Sequence, residues 1–443
     1  LNTHLWPLSA VKKRSHSHIK PIKMNENETY YMETSPTEIL IYIFTFLSPK
    51  ERAKCCQVCW RWKRIVDNLS KNEGLWLKHC KKDFNDIYSV AYYKRVPGLT
   101  WFHIYRSLTL WSKLNKANES MDEFASATGC MDEIRDFQIL RHGLIGVHTR
   151  GAITYYDLDT LKLSRRTSIT GNYLRYVEND DTIIILGYNL NLFVVRKLIT
   201  DTHYETDVTF GNVKTFLLAD EDLFYVTLTD EVFLCKLQDD QLKSVLLNQA
   251  NSSIMSVGYH KGNINLLTFQ RDIFTIVGNE LIYRSTLDTS TNLLHELKKY
   301  NFLENLDWRV YFQWMYVLKH TVPEGPLRDI IIIKTYGEAV FVGSNWGVFR
   351  IYYAPYNNDE FDLFNSEPIK QFNFMERCDC PVLSMCPIIR IDVIEGEDSH
   401  IILIAMPKKI AVITYIHSFK ETTMGTMLPY QDVHKIKILN ISE

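Results

Sequence analysis

The sequence predicts a small all-helical unit with linker helices, followed by an all-β domain assembled from repeated strand groups. Three observations lead there. Apolar residues recur at helical spacing up to about residue 115 and at period two after about residue 130. Strand-like hairpins then return at intervals near 40 residues. Charge divides in the same place: residues 1–120 hold 20 Lys and Arg against 10 Asp and Glu, and the remainder holds 30 against 42. A formal charge of −2 over 443 residues therefore joins a part at +10 to a part at −12.

Length and a 46% hydrophobic content suit two to four domains and argue against disorder or a simple coiled coil. The expected division is a flexible basic extension at 1–31, a helical unit at 32–80, linker helices at 81–130 and the β domain at 131–443. Residues 1–23 precede Met24, the first methionine, and read as an extension without a folded role. Lys12, Lys13 and Arg14 are followed by no apolar run of the kind a secretory signal needs. Nine scattered cysteines make no disulfide framework. The longest aliphatic runs, Ile183 to Leu186, Ile330 to Ile333 and Ile401 to Ile404, fall far below the ~20 residues of a membrane helix. The expectation is a soluble protein of a reducing compartment, cytoplasmic and/or nuclear, with no membrane partner.

Ser35-Pro36-Thr37-Glu38 spells a helix start, with Ser35 as cap, Pro36 in the first turn and Glu38 reaching back. The same grammar returns as Ser48-Pro49-Lys50-Glu51, and Pro49 should end the first helix near Leu47. Ile39, Leu40, Ile43, Phe44 and Leu47 make one apolar stripe. A second helical stretch carries Cys56, Val58, Cys59, Trp62, Ile65 and Val66 between basic residues, and Leu75-Trp76 follows Gly74. So small a unit cannot hide all of these side chains, each worth roughly 1.5–3 kcal/mol on burial. Part of this surface should meet a partner or another domain.

These residues resemble the F-box family. Its pattern is matched here by Pro36, Glu38-Ile39-Leu40, Ile43-Phe44, Leu47, Val58-Cys59, Trp62 and Leu75-Trp76. Ser35 departs from it, since the family usually has Leu before the proline. Thr100 to Leu114, with Trp101, Tyr105 and Trp111, looks like the linker helix that often follows an F-box. The resemblance implies docking on a Skp-type adaptor, and through it a cullin–RING ubiquitin ligase. The adaptor-binding residues it implies are Pro36, Ile39, Leu40, Ile43, Phe44, Leu47, Val58, Cys59, Trp62, Leu75 and Trp76.

Cys56-x-x-Cys59 with His79-Cys80 has spacing open to a zinc site. The cysteine pair is expected in mid-helix, whereas zinc knuckles place it on a tight turn, so no metal is expected. Cys378-Asp379-Cys380 has no second pair nearby.

In the β region, hairpins are expected at Leu144 to Asp157, Thr182 to Val195, Leu223 to Leu237, Ile264 to Val277, Ile330 to Val342 and Ile401 to Tyr415. Their turns near 150, 189, 230, 271, 336 and 408 give intervals of 39, 41, 41, 65 and 72. The first three match a β-propeller blade, and insertions at Asn292 to Asn305 and Asn357 to Glu367 lengthen the others. The expectation is a propeller of six to seven blades, closed by a terminal strand near His434 to Leu439. The resemblance to WD-repeat propellers lies in period and strand count, since no Trp-Asp dipeptide ends a strand.

No phosphate loop, dinucleotide glycine pattern, Gly-x-Ser-x-Gly or His-Glu-x-x-His occurs. Asp180-Asp181 and Asp239-Asp240 read as turn formers. Neither a catalytic residue nor a cofactor is expected. If the paired turns share one face, Arg150, Arg271, Lys408 and Lys409 lie on it and are the candidates to read an acidic target motif. The acidic balance of this part argues against a nucleic-acid surface. The expected function is therefore a non-catalytic substrate receptor of a ubiquitin ligase that binds a target protein. A propeller scaffold without ubiquitin transfer is the alternative.

Overall fold

The computed structural model describes residues 35–418, except 198–203, 220, 240, 288–292, 304, 307–329, 356–360, 362, 364–365 and 376–385. The expected closing strand at 434–439 and the Cys378–Cys380 pair lie outside the described residues. The described chain falls into two compact units, one ending at Leu69 and the other beginning at Ser70.

The first unit holds α1 (Thr37–Phe46), α2 (Pro49–Cys55) and α3 (Trp60–Leu69). The second start signal forms as the spacing dictates: the Glu51 N–H donates to Ser48 Oγ, and the Glu51 carboxylate accepts from the Ser48 N–H at 2.8 Å. The first does not. Pro36 itself is the cap residue, with no side-chain bond to the helix. The Arg61 guanidinium instead donates to the Ser35 carbonyl and, at 3.1 Å, to Thr37 Oγ1. This link ties the start of α1 to α3, 26 residues further along, where a local capping box was expected.

The second unit begins with α4 (Glu73–Asp83), α5 (Tyr88–Tyr93), α6 (Trp101–Leu110) and a 3-10 turn at Trp111–Lys116. Residues 118–124, expected within the linker helices, form strand β1 (Asn118–Phe124). Six four-stranded antiparallel sheets follow among the described residues. Sheet I holds β2 (Ile134–Leu140), β3 (Leu144–Thr149), β4 (Ala152–Asp157) and β5 (Ile169–Thr170). Sheet II holds β6 (Tyr173–Glu178), β7 (Thr182–Gly187), β8 (Leu192–Lys197) and β9 (Tyr204–Phe210). Sheet III holds β10 (Val213–Ala219), β11 (Asp222–Thr227), β12 (Glu231–Lys236) and β13 (Ser244–Gln249). Sheet IV holds β14 (Ile254–His260), β15 (Asn263–Thr268), β16 (Asp272–Val277) and β17 (Glu280–Thr286). Sheet V follows α7 (Leu293–Lys299) and holds β18 (Ile330–Tyr336), β19 (Ala339–Ser344), β20 (Val348–Tyr353) and β21 (Lys370–Asn373). Sheet VI runs β22 (Arg390–Gly396), β23 (Ser399–Met406) and β24 (Lys409–Ile416), and β1 adds its fourth strand.

Each sheet packs on the next, and the sixth packs on the first. Leu140 and Ile153 meet Ile183 and Val195 between I and II, and Leu192 meets Phe216 and Leu223 between II and III. Val226 meets Ile254 and Leu266 between III and IV, and Ile273 joins Ile333 and Val340 through Leu297 and Phe302 of the α7 segment. Phe341 and Ile351 meet Ile391 and Ile402 between V and VI, and Leu403 and Val412 meet Phe137 and Ile145 between VI and I. This is the ring of a β-propeller. Second strands are covered on both faces, which is why β7 and β19 are buried along their whole length instead of alternating.

The strand register corrects one expected turn. The turns near 150, 189, 230, 271 and 408 join second to third strands, but Gly337 joins β18 to β19, the first and second strands of sheet V. The equivalent turn of sheet V is at 345–347, between β19 and β20. Both connections are hairpins of apolar strands, so period alone could not distinguish them.

α5 and α6 pack on the end of the ring that carries first-to-second-strand turns. Arg106 pairs with Asp398 at 2.7 Å, Lys94 with the buried Asp392 at 2.7 Å, and the Val96 N–H donates to the Glu395 carbonyl at 2.8 Å. Trp111 Nε1 and Ser107 Oγ donate to the Glu395 carboxylate, which is 0% exposed, and His400 Nδ1 lies 2.8 Å from it. The second-to-third-strand turns therefore occupy the opposite end.

Candidate functional site

The first unit is too small to cover its own apolar residues, and α1 shows how they divide. Leu40 (0% exposed) and Phe44 lie on its inner stripe, where Phe44 meets Trp62 edge to face at a centroid distance of 5.1 Å. Ile43 and Leu47 are half-buried beside them. A second stripe, Ile39, Tyr42 and Phe46, follows the same i, i+3, i+7 spacing but is exposed, Tyr42 by 66%. Tyr42 and Phe46 support each other edge to face at 4.9 Å. α1 is thus apolar on two faces, and its own unit uses one.

Val58, in the break between α2 and α3, and Trp60 (76%), which opens α3, are exposed, with Lys63 over the Trp60 ring at 5.3 Å. Pro36 is exposed and Cys59 half-buried. The outward stripe of α1 is therefore Ile39, Tyr42 and Phe46; Val58 and Trp60 are further exposed apolar residues of the same unit, and Lys50, Lys54 and Arg64 are exposed cations of it. Sequence reasoning named Ile39 and Val58 but missed Tyr42, Phe46 and Trp60. Their signal was the second stripe running beside the first.

Leu75 and Trp76 belong to the second unit and are buried there. Trp76 Nε1 donates to the Ser70 carbonyl at 2.8 Å, and its ring packs on Phe102 and Tyr105 of α6 at 4.9 and 5.4 Å. Glu73 accepts the Trp101 N–H at 2.9 Å, and Tyr105 donates to Asp83 at 2.9 Å. α4 is therefore fixed to α6, and α6 to sheet VI. These two residues serve as anchors of α4 within its own unit.

Cys56 and Cys59 lie outside the regular helices, in the break between α2 and α3, and not in mid-helix as expected. No group of three or more His, Cys, Asp or Glu residues suited to a metal ion occurs among the described residues. Burial pushes the Cys55 and Cys56 thiols up, and raises Cys80 to about 12. None of the three is an activated nucleophile at neutral pH. No helix among the described residues is long and apolar enough to cross a membrane.

The four basic candidates in the β domain lie at second-to-third-strand turns of three sheets: Arg150 on I, Arg271 on IV, and Lys408 on VI, where Lys409 opens β24. Arg150 pairs with Glu133 at 2.9 Å, and Lys409 pairs with Glu123. Sheets VI and I are neighbours, but sheet V separates Arg271 from them. The four form no single cluster, and two have their charge met within the domain.

Residues 36–82 match the F-box-like family model. A human relative, F-box only protein 16, is 42% identical over 45 residues, which are 10% of this chain and 14% of that protein's length. Among solved structures, the N-terminal domain of Nup159 aligns over 68% of this chain and 96% of its own at 9% identity, with a TM-score of 0.39. Hsv2 of Kluyveromyces lactis aligns over 61% of this chain and 70% of its own at 11% identity, with a TM-score of 0.27. At these scores the two likenesses add nothing to what the strand pairing itself shows.

Proposed function

We propose, from the premise that residues 36–82 are an F-box-like domain, that this chain is the substrate-recognition subunit of a Skp–cullin–F-box ubiquitin ligase. The observation that carries the reading is the exposed apolar stripe Ile39, Tyr42 and Phe46 of α1, with Val58 and Trp60 also exposed within that match. Large apolar side chains clustered in the open mark a binding surface. The exposed basic residues of the same unit suit an acidic adaptor, since charge attraction speeds association while apolar contacts supply affinity.

On this reading the propeller holds the target protein, and the chain supplies no bond-making residue. It would act by proximity, keeping a target lysine at high effective concentration near the conjugating enzyme. Proximity is most effective when the holder is stiff. The ties of α4 to α6 and of α6 to sheet VI give the end of the F-box-like segment a fixed path into the ring. The place of action would be the cytoplasm or nucleus, where such ligases work.

Capture of purified Skp-type adaptor by the full chain tests this. Stoichiometric binding is expected, and no binding by a folded chain would sink the ligase reading and leave a propeller scaffold.

A further inference from the structure

A groove of about 600 Å³ opens beside the second-to-third-strand turn of sheet III, at its junction with sheet II. α5 and α6 pack at the other end of the ring, so this groove stays clear of them. Its wall is a ladder of three rings. Phe210 and Tyr225 stack at 4.8 Å and 21°, and Tyr225 and Phe233 at 5.1 Å and 13°. Leu246 pairs with Phe233 across the strands, so it shares that face, and it is exposed. At the rim stands Glu231, whose carboxylate accepts from Thr229 Oγ1 at 2.8 Å and Thr227 Oγ1 at 3.3 Å.

The charge of this place is one-sided. No Lys or Arg lines the groove, and Glu231 has no ion-pair partner among the described residues. The nearby Lys214 is engaged by Asp230. Residues 204–250 contain nine Asp and Glu against three Lys and Arg. Hydroxyls fix the Glu231 carboxylate without neutralising it, and the stacked rings beside it offer apolar surface for methylenes.

We propose that this groove takes a lysine- or arginine-bearing segment of the target protein, its cation at Glu231 and its side-chain stem along Phe210 and Phe233. The inference rests on the propeller being the target-binding part, and it reverses the sign of the motif that the basic turns suggested. A long cationic side chain suits the site because its stem covers apolar surface while its head stays polar. An acidic segment would meet the Glu231 charge with nothing to offset it.

A phage-displayed library of random peptides, panned against the full chain, tests the proposal. Enrichment of sequences with Lys or Arg beside aliphatic residues is expected. Their synthetic peptides should bind Glu231→Gln about tenfold more weakly, the loss of one charge-assisted contact. Phe233→Ser should weaken them too, while Glu397→Gln at the other end of the ring should not. Circular dichroism of each variant separates lost binding from lost fold. Acidic enriched sequences, equal binding to Glu231→Gln, or no enrichment would overturn the proposal. Adaptor capture by Glu231→Gln, run alongside, should match the wild-type chain. Its failure in both proteins would count against the ligase reading and leave the groove result standing.

Discussion

Trp111 and Glu395 meet in the interior of the second unit, where indole Nε1 donates to Oε1 at 3.0 Å and both residues are buried. The Trp111 ring also stacks on His400 at 4.0 Å and meets Phe341 edge to face at 5.7 Å. One carboxylate thus fastens the end of α6 to sheet VI, and the Trp111 ring reaches sheet V through Phe341. Glu395→Ala would leave the Trp111, Ser107 and His400 donors without their acceptor inside a closed site. Removing one member of a buried charged cluster costs about 3–5 kcal/mol. Urea unfolding of the full chain should show a loss of that size, and Glu395→Gln a smaller one. A change below about 1 kcal/mol in Glu395→Ala would show that the carboxylate does not fasten the helix.

The same site predicts how stability changes with pH. Burial alone would raise the Glu395 carboxyl, but His400, Ser107 and Trp111 outweigh it and hold it below the usual carboxylate range. A depressed carboxyl gives stability that is complete above its unfolded value, about 4.3, and is lost as pH falls through the folded one. His417, whose ring lies 5.1 Å from that of His400, is pushed down to about 4 by burial and then by His400 and Lys113. Its contribution is complete above the ordinary value of 6.5 and is lost as pH falls towards 4. Both terms have the same sign. Thermal midpoints should fall from about pH 6.5 towards pH 4 through His417 and further below about pH 4.3 through Glu395, and His417→Gln should flatten the upper part of that fall.

Local signals were legible in the sequence, and long-range ones were not. The Ser48–Glu51 capping box needs only four neighbouring residues, so spacing was enough to predict it. The Ser35 signal looked equally good, but Arg61 holds that turn from another helix. Repeated hairpins revealed the ring, because each is a local event. Its closure did not show, because β1 is polar along most of its length and pairs with β24 nearly 300 residues away. The two stripes of α1 were both visible as apolar spacing. Spacing cannot say which stripe faces a core and which faces outward.

Closure of the ring through β1 can be tested at Phe124, the one buried side chain of that strand. It lies opposite Ile410 in the register and packs with Ile134 and Leu403, so it joins sheets VI and I. Phe124→Ala should cost about 3 kcal/mol, in the range for a buried aromatic. Amide exchange should rise in β24 more than in β23, which keeps β22 as a second partner. Equal protection of both strands in the variant would mean that β1 is dispensable for closing the ring.

The two stripes of α1 separate folding from binding in one pair of experiments. Phe44 is inside its unit against Trp62, so Phe44→Ala should cost about 3–5 kcal/mol, and adaptor capture should fall with the folded fraction. Tyr42 and Phe46 face outward, with their rings against each other, so their joint replacement by Ala should change stability by less than about 1 kcal/mol. That double variant should still lose adaptor capture about 100-fold, the loss of two aromatic anchors at the centre of an interface. Trp60→Ala should act with it, because its exposed ring extends the same unit's apolar surface. Calorimetry of the isolated interaction with purified adaptor, beside thermal melts of each variant, measures both quantities. If Tyr42→Ala with Phe46→Ala binds as the wild-type chain does, the outward stripe is not the docking surface.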